Sequence, residues 1–110
     1  MALTPNQTVQ KCKSILKHHY GPQFKGLVLY GSTARGQASV ESDIDLLVLL
    51  SEPFDYFDEL RRIVELLYPV QLESEQLVSA KPAAENAFQA GKLQLYRNAK
   101  KEGAFIQAQV

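Results

Sequence analysis

Apolar positions along the chain switch between helical and alternating spacing, and each switch predicts an element. Val9, Cys12, Ile15, Leu16 and His19 recur with helical period, Thr4 stands as N-cap with Pro5 at the first helical position, and Gly21-Pro22 ends the run. This predicts a first helix up to Tyr20. "KGLVLY" and "DIDLLVLL" are short runs of strand-favouring residues, the second closed by Ser51-Glu52-Pro53, and they predict two central strands. From Asp55 to Tyr68 the helical period returns. Phe57, Leu60, Val64 and Leu67 form one stripe, with Asp58/Arg62 and Arg61/Glu65 paired four apart on the wet side. After Pro69, "VQLE" predicts a third strand with Gln71 and Glu73 on one face and Val70 and Leu72 on the other. "PAAENAFQAGKLQLY" reads as a helix interrupted near Gly91, and "RNAKKEGAFIQAQV" as a basic tail that either ends in a short strand or packs on a partner.

At 110 residues and 45% hydrophobic, the chain has apolar material for one core, so a single domain over residues 1–110 is expected. The order of elements predicts an α/β (α+β) fold: a small mixed sheet with helices packed mainly on one face. No apolar run reaches the roughly 18 residues of a membrane span, and the first ten residues lack the pattern of a secretion signal. No membrane partner and a cytoplasmic location are expected. The single cysteine, Cys12, offers neither a disulfide framework nor a zinc cluster and reads as a core residue. Twelve basic and twelve acidic residues cancel, which argues against broad capture of nucleic acid. Yet ten acids fall between Glu41 and Glu75 against only Arg61 and Arg62. That local acidity either binds cations or forms the wet face of a helix.

The chemistry concentrates in "LVLYGSTARGQASVESDIDLLVLL". Side chains alternate across a strand, so Asp43, Asp45, Leu47 and Leu49 share one face and Ile44, Leu46, Val48 and Leu50 the other. The α-carbons of the two acids are then roughly 6.5 Å apart, close enough to grip one cation or a pair of metals about 3.5 to 4 Å apart. Two such charges on an apolar strand are costly unless neutralised, and Mg2+ with oxygen ligands removes that cost. Gly31 and Ser32 stand where the preceding strand gives way to a predicted short helix, which Gly36 could end. A glycine that admits close approach, exposed amides and a hydroxyl suit a phosphate.

The run Gly31-Ser32, ten residues, then Asp43-Ile44-Asp45 resembles the G-S-x10-D-x-D signature of the nucleotidyltransferase superfamily related to DNA polymerase beta, in its minimal members. The resemblance implies that Gly31 and Ser32 hold a triphosphate and that Asp43 and Asp45 bind Mg2+ or Mn2+. It implies transfer of a nucleoside monophosphate, AMP from ATP or the equivalent from another NTP, to an acceptor hydroxyl. It also implies a small all-helical partner of the HEPN class, with this chain as the antitoxin of a two-component module. The tail after Tyr96 is where that contact is expected.

The pattern departs from the family at one place. The family's third carboxylate follows a Pro-Val-like pair, and here Gln71 follows Pro69-Val70. Glu73, on the same predicted face, is the candidate substitute, giving Asp43, Asp45 and Glu73 as the catalytic set. Arg35 is a candidate phosphate contact, set against an ordinary exposed arginine. His18 and His19 point about 100° apart on a helix and read as charge at its C-terminus rather than metal ligands. Tyr20, Tyr30, Phe57, Phe88 and Tyr96 read as core or rim aromatics. Two rival functions stay open: a non-catalytic protein that neutralises its partner by contact, and a sugar-nucleotide glycosyltransferase fragment. The residues also leave open pairing into a homo-oligomer.

Overall fold

Thr4 begins the first helix with a reciprocal cap. Its hydroxyl accepts from the Gln7 N–H at 3.1 Å while the Gln7 side chain accepts from the Thr4 N–H at 2.9 Å. The computed structural model describes residues 3–31 and 43–107. Their elements are α1 (Pro5–Tyr20), a single 3-10 turn (Gly21–Gln23), β1 (Phe24–Tyr30), β2 (Ile44–Leu50), α2 (Tyr56–Glu73), β3 (Val78–Ala84), α3 (Glu85–Ala90), α4 (Gln94–Glu102) and β4 (Ala104–Gln107). The strands form one mixed sheet in the order β3-β2-β1-β4. β1 runs antiparallel to both neighbours, and β2 and β3 are parallel.

The alternation read from "DIDLLVLL" is what divides the molecule into layers. Ile44, Leu46, Val48 and Leu50 join Val9, Cys12 and Leu16 of α1 and Ile63, Leu67 and Val70 of α2 in the larger core. Leu47 and Leu49 face the other way, into a smaller core with Val28, Ala83, Phe88, Tyr96 and Ala99. The two long helices thus cover one face of the sheet, and α3 and α4 cover part of the other. A Tyr20–Glu59 hydrogen bond of 2.8 Å ties α1 to α2. Glu59 also takes the Arg62 guanidinium at 2.9 Å, so Arg62 pairs three residues back rather than with Asp58.

Three expectations change. "VQLE" is not a strand: α2 runs through Pro69 to Glu73. Proline removes one helical hydrogen bond, but Leu67 and Val70 on either side of it bury in the core, and that packing carries the helix onward. The third strand is instead β3, "VSAKPAA", which the proline at position 82 disguises. Pro82 is tolerated because β3 is an edge strand and residue 82 directs its backbone away from β2. Finally, the buried stripe of α2 is Ile63, Leu67 and Val70, whereas Phe57, Val64, Tyr68 and Leu72 form an apolar row that stays exposed.

The tail resolves into structure. Gly91 ends α3 in the left-handed conformation, φ 65°, a shape that suits glycine, and the chain restarts as α4. Tyr96 is buried edge-on to Phe88 with ring centroids 5.9 Å apart. β4 then pairs with β1 from Gly26↔Gln107 to Leu29↔Ala104.

Cys12 is fully buried, and burial pushes its thiol from an ordinary 9.0 up to about 12. Between those values the unfolded chain loses this proton and the folded chain keeps it, so folding stability falls as pH rises from about 9 towards 12. Urea unfolding of the wild type and Cys12→Ala at pH 8 and pH 10.5 is expected to show the wild type losing more stability over that rise. The native thiol is expected to resist a thiol reagent at pH 8 until urea unfolds the chain.

Candidate active site

Asp45, the second residue of β2, lies directly opposite Tyr30, the last residue of β1. Gly31 therefore begins the outgoing chain beside the Asp45 carboxylate. With φ +80°, Gly31 occupies a conformation that L side chains rarely adopt, and a Cβ there would lie 2.5 Å from Asp45 Oδ2. Only glycine lets backbone and carboxylate meet this closely. Asp43 stands exposed just before the strand, two residues away. Ser32, Arg35 and Gly36 lie outside the described residues.

Electrostatics at this corner run against the acids. Asp45 is half-buried, and burial first and the Asp43 charge second raise its carboxyl above the usual range, with Lys81 pulling the other way. Burial and then Asp45 likewise raise the Tyr30 phenol. A half-buried carboxylate with a second carboxylate beside it, oxygen donors both, is a donor set suited to a hard divalent cation. The chemistry of Asp43 and Asp45 fits a divalent cation such as Mg2+ or Mn2+, which these two residues could hold.

The third acid is not where the sequence suggested. Glu73 ends α2 on the opposite face of the sheet, where its side chain meets Lys11 Nζ at 3.4 Å and its carbonyl accepts from the Leu3 N–H at 3.0 Å. Among the described residues, no group of three or more His, Cys, Asp and Glu side chains could share a metal. Gln71 has a different task. Its amide accepts from the Val78 N–H at 2.7 Å and donates to the Gln76 carbonyl at 3.0 Å, fixing the entry to β3. The parallel register instead sets Ser79 opposite Asp45 and Lys81 opposite Leu47. Alternation puts Ser79, Lys81 and Ala83 on the face of Asp45. Sequence reading missed Ser79 and Lys81 because the strand that carries them was misplaced. The alternation of Ser79, Lys81 and Ala83 with Val78 and Ala80 was the available signal. His18 and His19 sit exposed in the last turn of α1, remote from the acids in the chain and without a metal-binding partner set among the described residues.

Comparison with known proteins gives this corner its context. The family model described as a nucleotidyltransferase domain matches residues 9–105, nearly the whole chain. The chain belongs to the nucleotidyltransferase family. This nucleotidyltransferase is 34% identical over 83 residues to a Methanocaldococcus jannaschii protein named "putative protein adenylyltransferase", covering 72% of this chain and 83% of that one. A second protein of that organism with the same description is 39% identical over 62 residues, 56% of this chain and 60% of its own length. A chain in the crystal structure of a mutant of the toxin–antitoxin MntA-HpeT superposes with a TM-score of 0.55 at 20% identity, over 94% of this chain and 72% of that one. At that identity the likeness is one of fold, and it extends to the mixed sheet and its flanking helices.

Two substitutions test the geometry. Gly31→Ala is expected to displace the Asp45 carboxylate and weaken Mg2+-dependent ATP binding about tenfold or more, read by calorimetry, with a circular-dichroism spectrum like that of the wild type. Gln71→Glu, which restores an acid in the sequence pattern, is expected to lower stability by about 1–3 kcal/mol in urea and to leave Mg2+ affinity unchanged. A glutamate cannot donate to the Gln76 carbonyl and sets a charge against it.

Proposed function

We propose that this nucleotidyltransferase transfers AMP from ATP to an acceptor hydroxyl on a partner protein, with a divalent cation held by Asp43 and Asp45. The observation that carries the reading is the packing of the Gly31 backbone against the Asp45 carboxylate at the β1–β2 corner, with Asp43 beside it. The acceptor oxygen attacks the α-phosphorus, the new P–O bond replaces the bond to the bridging oxygen, and pyrophosphate leaves. A bound cation supplies charge neutralisation at the phosphates. Gly31 and Ser32 take the triphosphate tail, Ser32 on the strength of the sequence motif alone. Tyr30 stands opposite Asp45 across the strand pair. With Glu73 engaged on the other face of the sheet, the hydroxyl proton goes to a carboxylate supplied by another chain.

A partner protein agrees with the structural neighbour's belonging to a toxin–antitoxin pair and with the relatives being named protein adenylyltransferases. A small helical protein of the HEPN class is the partner we propose. Part of the tail packs back on the chain, since Tyr96 and Ala99 are buried, Arg97 donates to the Gly91 carbonyl at 2.7 Å and Lys100 to the Gln89 carbonyl at 2.9 Å, while Phe105 stays exposed. The exposed row Phe57, Val64, Tyr68 and Leu72 on α2 is the better surface for a helical partner. Among the described residues, no helix is long and apolar enough to cross a membrane.

A second reading has its own support. Among the described residues no third carboxylate joins the pair, which favours a protein that binds nucleotide or partner without turnover. ATP labelled at the α-phosphate, Mg2+ and the protein encoded beside this chain separate the two. Label on the partner with the wild type, and at least about a hundredfold less with Asp45→Asn, is the result expected for the enzyme. Partner binding with no label from either protein establishes the second reading.

A further inference from the structure

β3 brings a cation to the face where its neighbour brings acids. Ser79 sits opposite Asp45 and Lys81 opposite Leu47, so the row Tyr30, Asp45, Ser79 is followed by the row Val28, Leu47, Lys81 on one face of the sheet. Val28, Leu47 and Ala83 are buried in the smaller core, which fixes that face. Lys81 is exposed on an edge strand, free to direct its four-carbon stem along the surface towards Asp45. By strand geometry the two α-carbons are roughly 8 Å apart, about 4.8 Å across and two residues along.

We infer that Lys81 is a phosphate-binding residue of the nucleotide site, where its ammonium meets the triphosphate in place of a second divalent cation. The inference rests on the nucleotide-binding reading above and goes beyond it. Among the described residues, Asp43, Asp45 and Lys81 together carry one net negative charge, and one divalent cation reverses it. A third carboxylate in the same place gives three negative charges and calls for two cations. An ammonium is a strong donor to phosphate oxygens and needs no exchange of metal-bound water to reach them. Ser79, beside Asp45, adds a hydroxyl to the same wall. One cation and one lysine then share the polyphosphate charge that two cations would otherwise carry.

Titration calorimetry of ATP against the whole chain, at a series of Mg2+ concentrations and in EDTA, tests this. Lys81→Ala is expected to weaken ATP about five- to tenfold at saturating Mg2+ while changing adenosine binding little, and Lys81→Arg to retain most of the affinity. Lys81→Glu is expected to bind ATP only at higher Mg2+ and with a steeper dependence on it. Asp45→Asn is the reference, and circular dichroism verifies that each variant is folded. If Lys81→Ala and Lys81→Glu match the wild type in affinity and Mg2+ dependence while Asp45→Asn does not, Lys81 has no part in the site and the proposed function stands. If the wild type takes up no ATP, or Asp45→Asn leaves uptake unchanged, both readings fall.

Discussion

The pairing of β1 with β2 is the constraint on which the rest depends. Its register sets Tyr30 opposite Asp45 and so delivers the outgoing Gly31 to the incoming aspartate. A shift of one residue would turn Asp45, Leu47 and Leu49 into the larger core and Ile44, Leu46 and Val48 towards the face of the smaller one. That exchange would bury an acid among α1 and α2 side chains and set a large apolar one at the half-open position that Asp45 now occupies. The hydrophobic pattern therefore enforces the register, and the register creates the site.

The same alternation explains why one short segment can be both structural and chemical. Leu46, Val48 and Leu50 anchor the sheet to the two long helices, while Leu47 and Leu49 seat α3 and α4. Only at the start of the strand, where it emerges from the core, do acids replace leucines. Asp45 is half-buried there, close enough to apolar surface to feel its cost and open enough to be reached. For the function proposed, that compromise suits a carboxylate meant to hold a cation, because charge beside a dry surface acts more strongly than charge in open water.

The other sheet edge is where this chain differs from the simplest picture of its family. β3 is held at its entry by Gln71 and carries Pro82, which has no N–H to present on the outer side. It contributes a serine and a lysine to the acid-bearing face rather than a carboxylate. Glu73 and Lys11 meanwhile join α2 to α1 on the far face, a structural pairing between two half-exposed side chains.

The sequence alone determined the first helix and its cap, the two central strands, the alternation of β2 that sets Asp45 apart from the larger core, and the family, since each rests on local spacing or on a motif. The residues of α2 and β3 were legible only in the tertiary structure. Helical burial of Leu67 and Val70 outweighs the local tendency of Pro69 to stop a helix, and an edge position excuses Pro82 within a strand. Once α2 lengthens by those few residues, Gln71 and Glu73 leave the site and Ser79 and Lys81 take the neighbouring positions. Propensity is a property of a few residues, whereas register and burial are settled by elements far apart in the chain, and the third wall of the site belongs to the second kind.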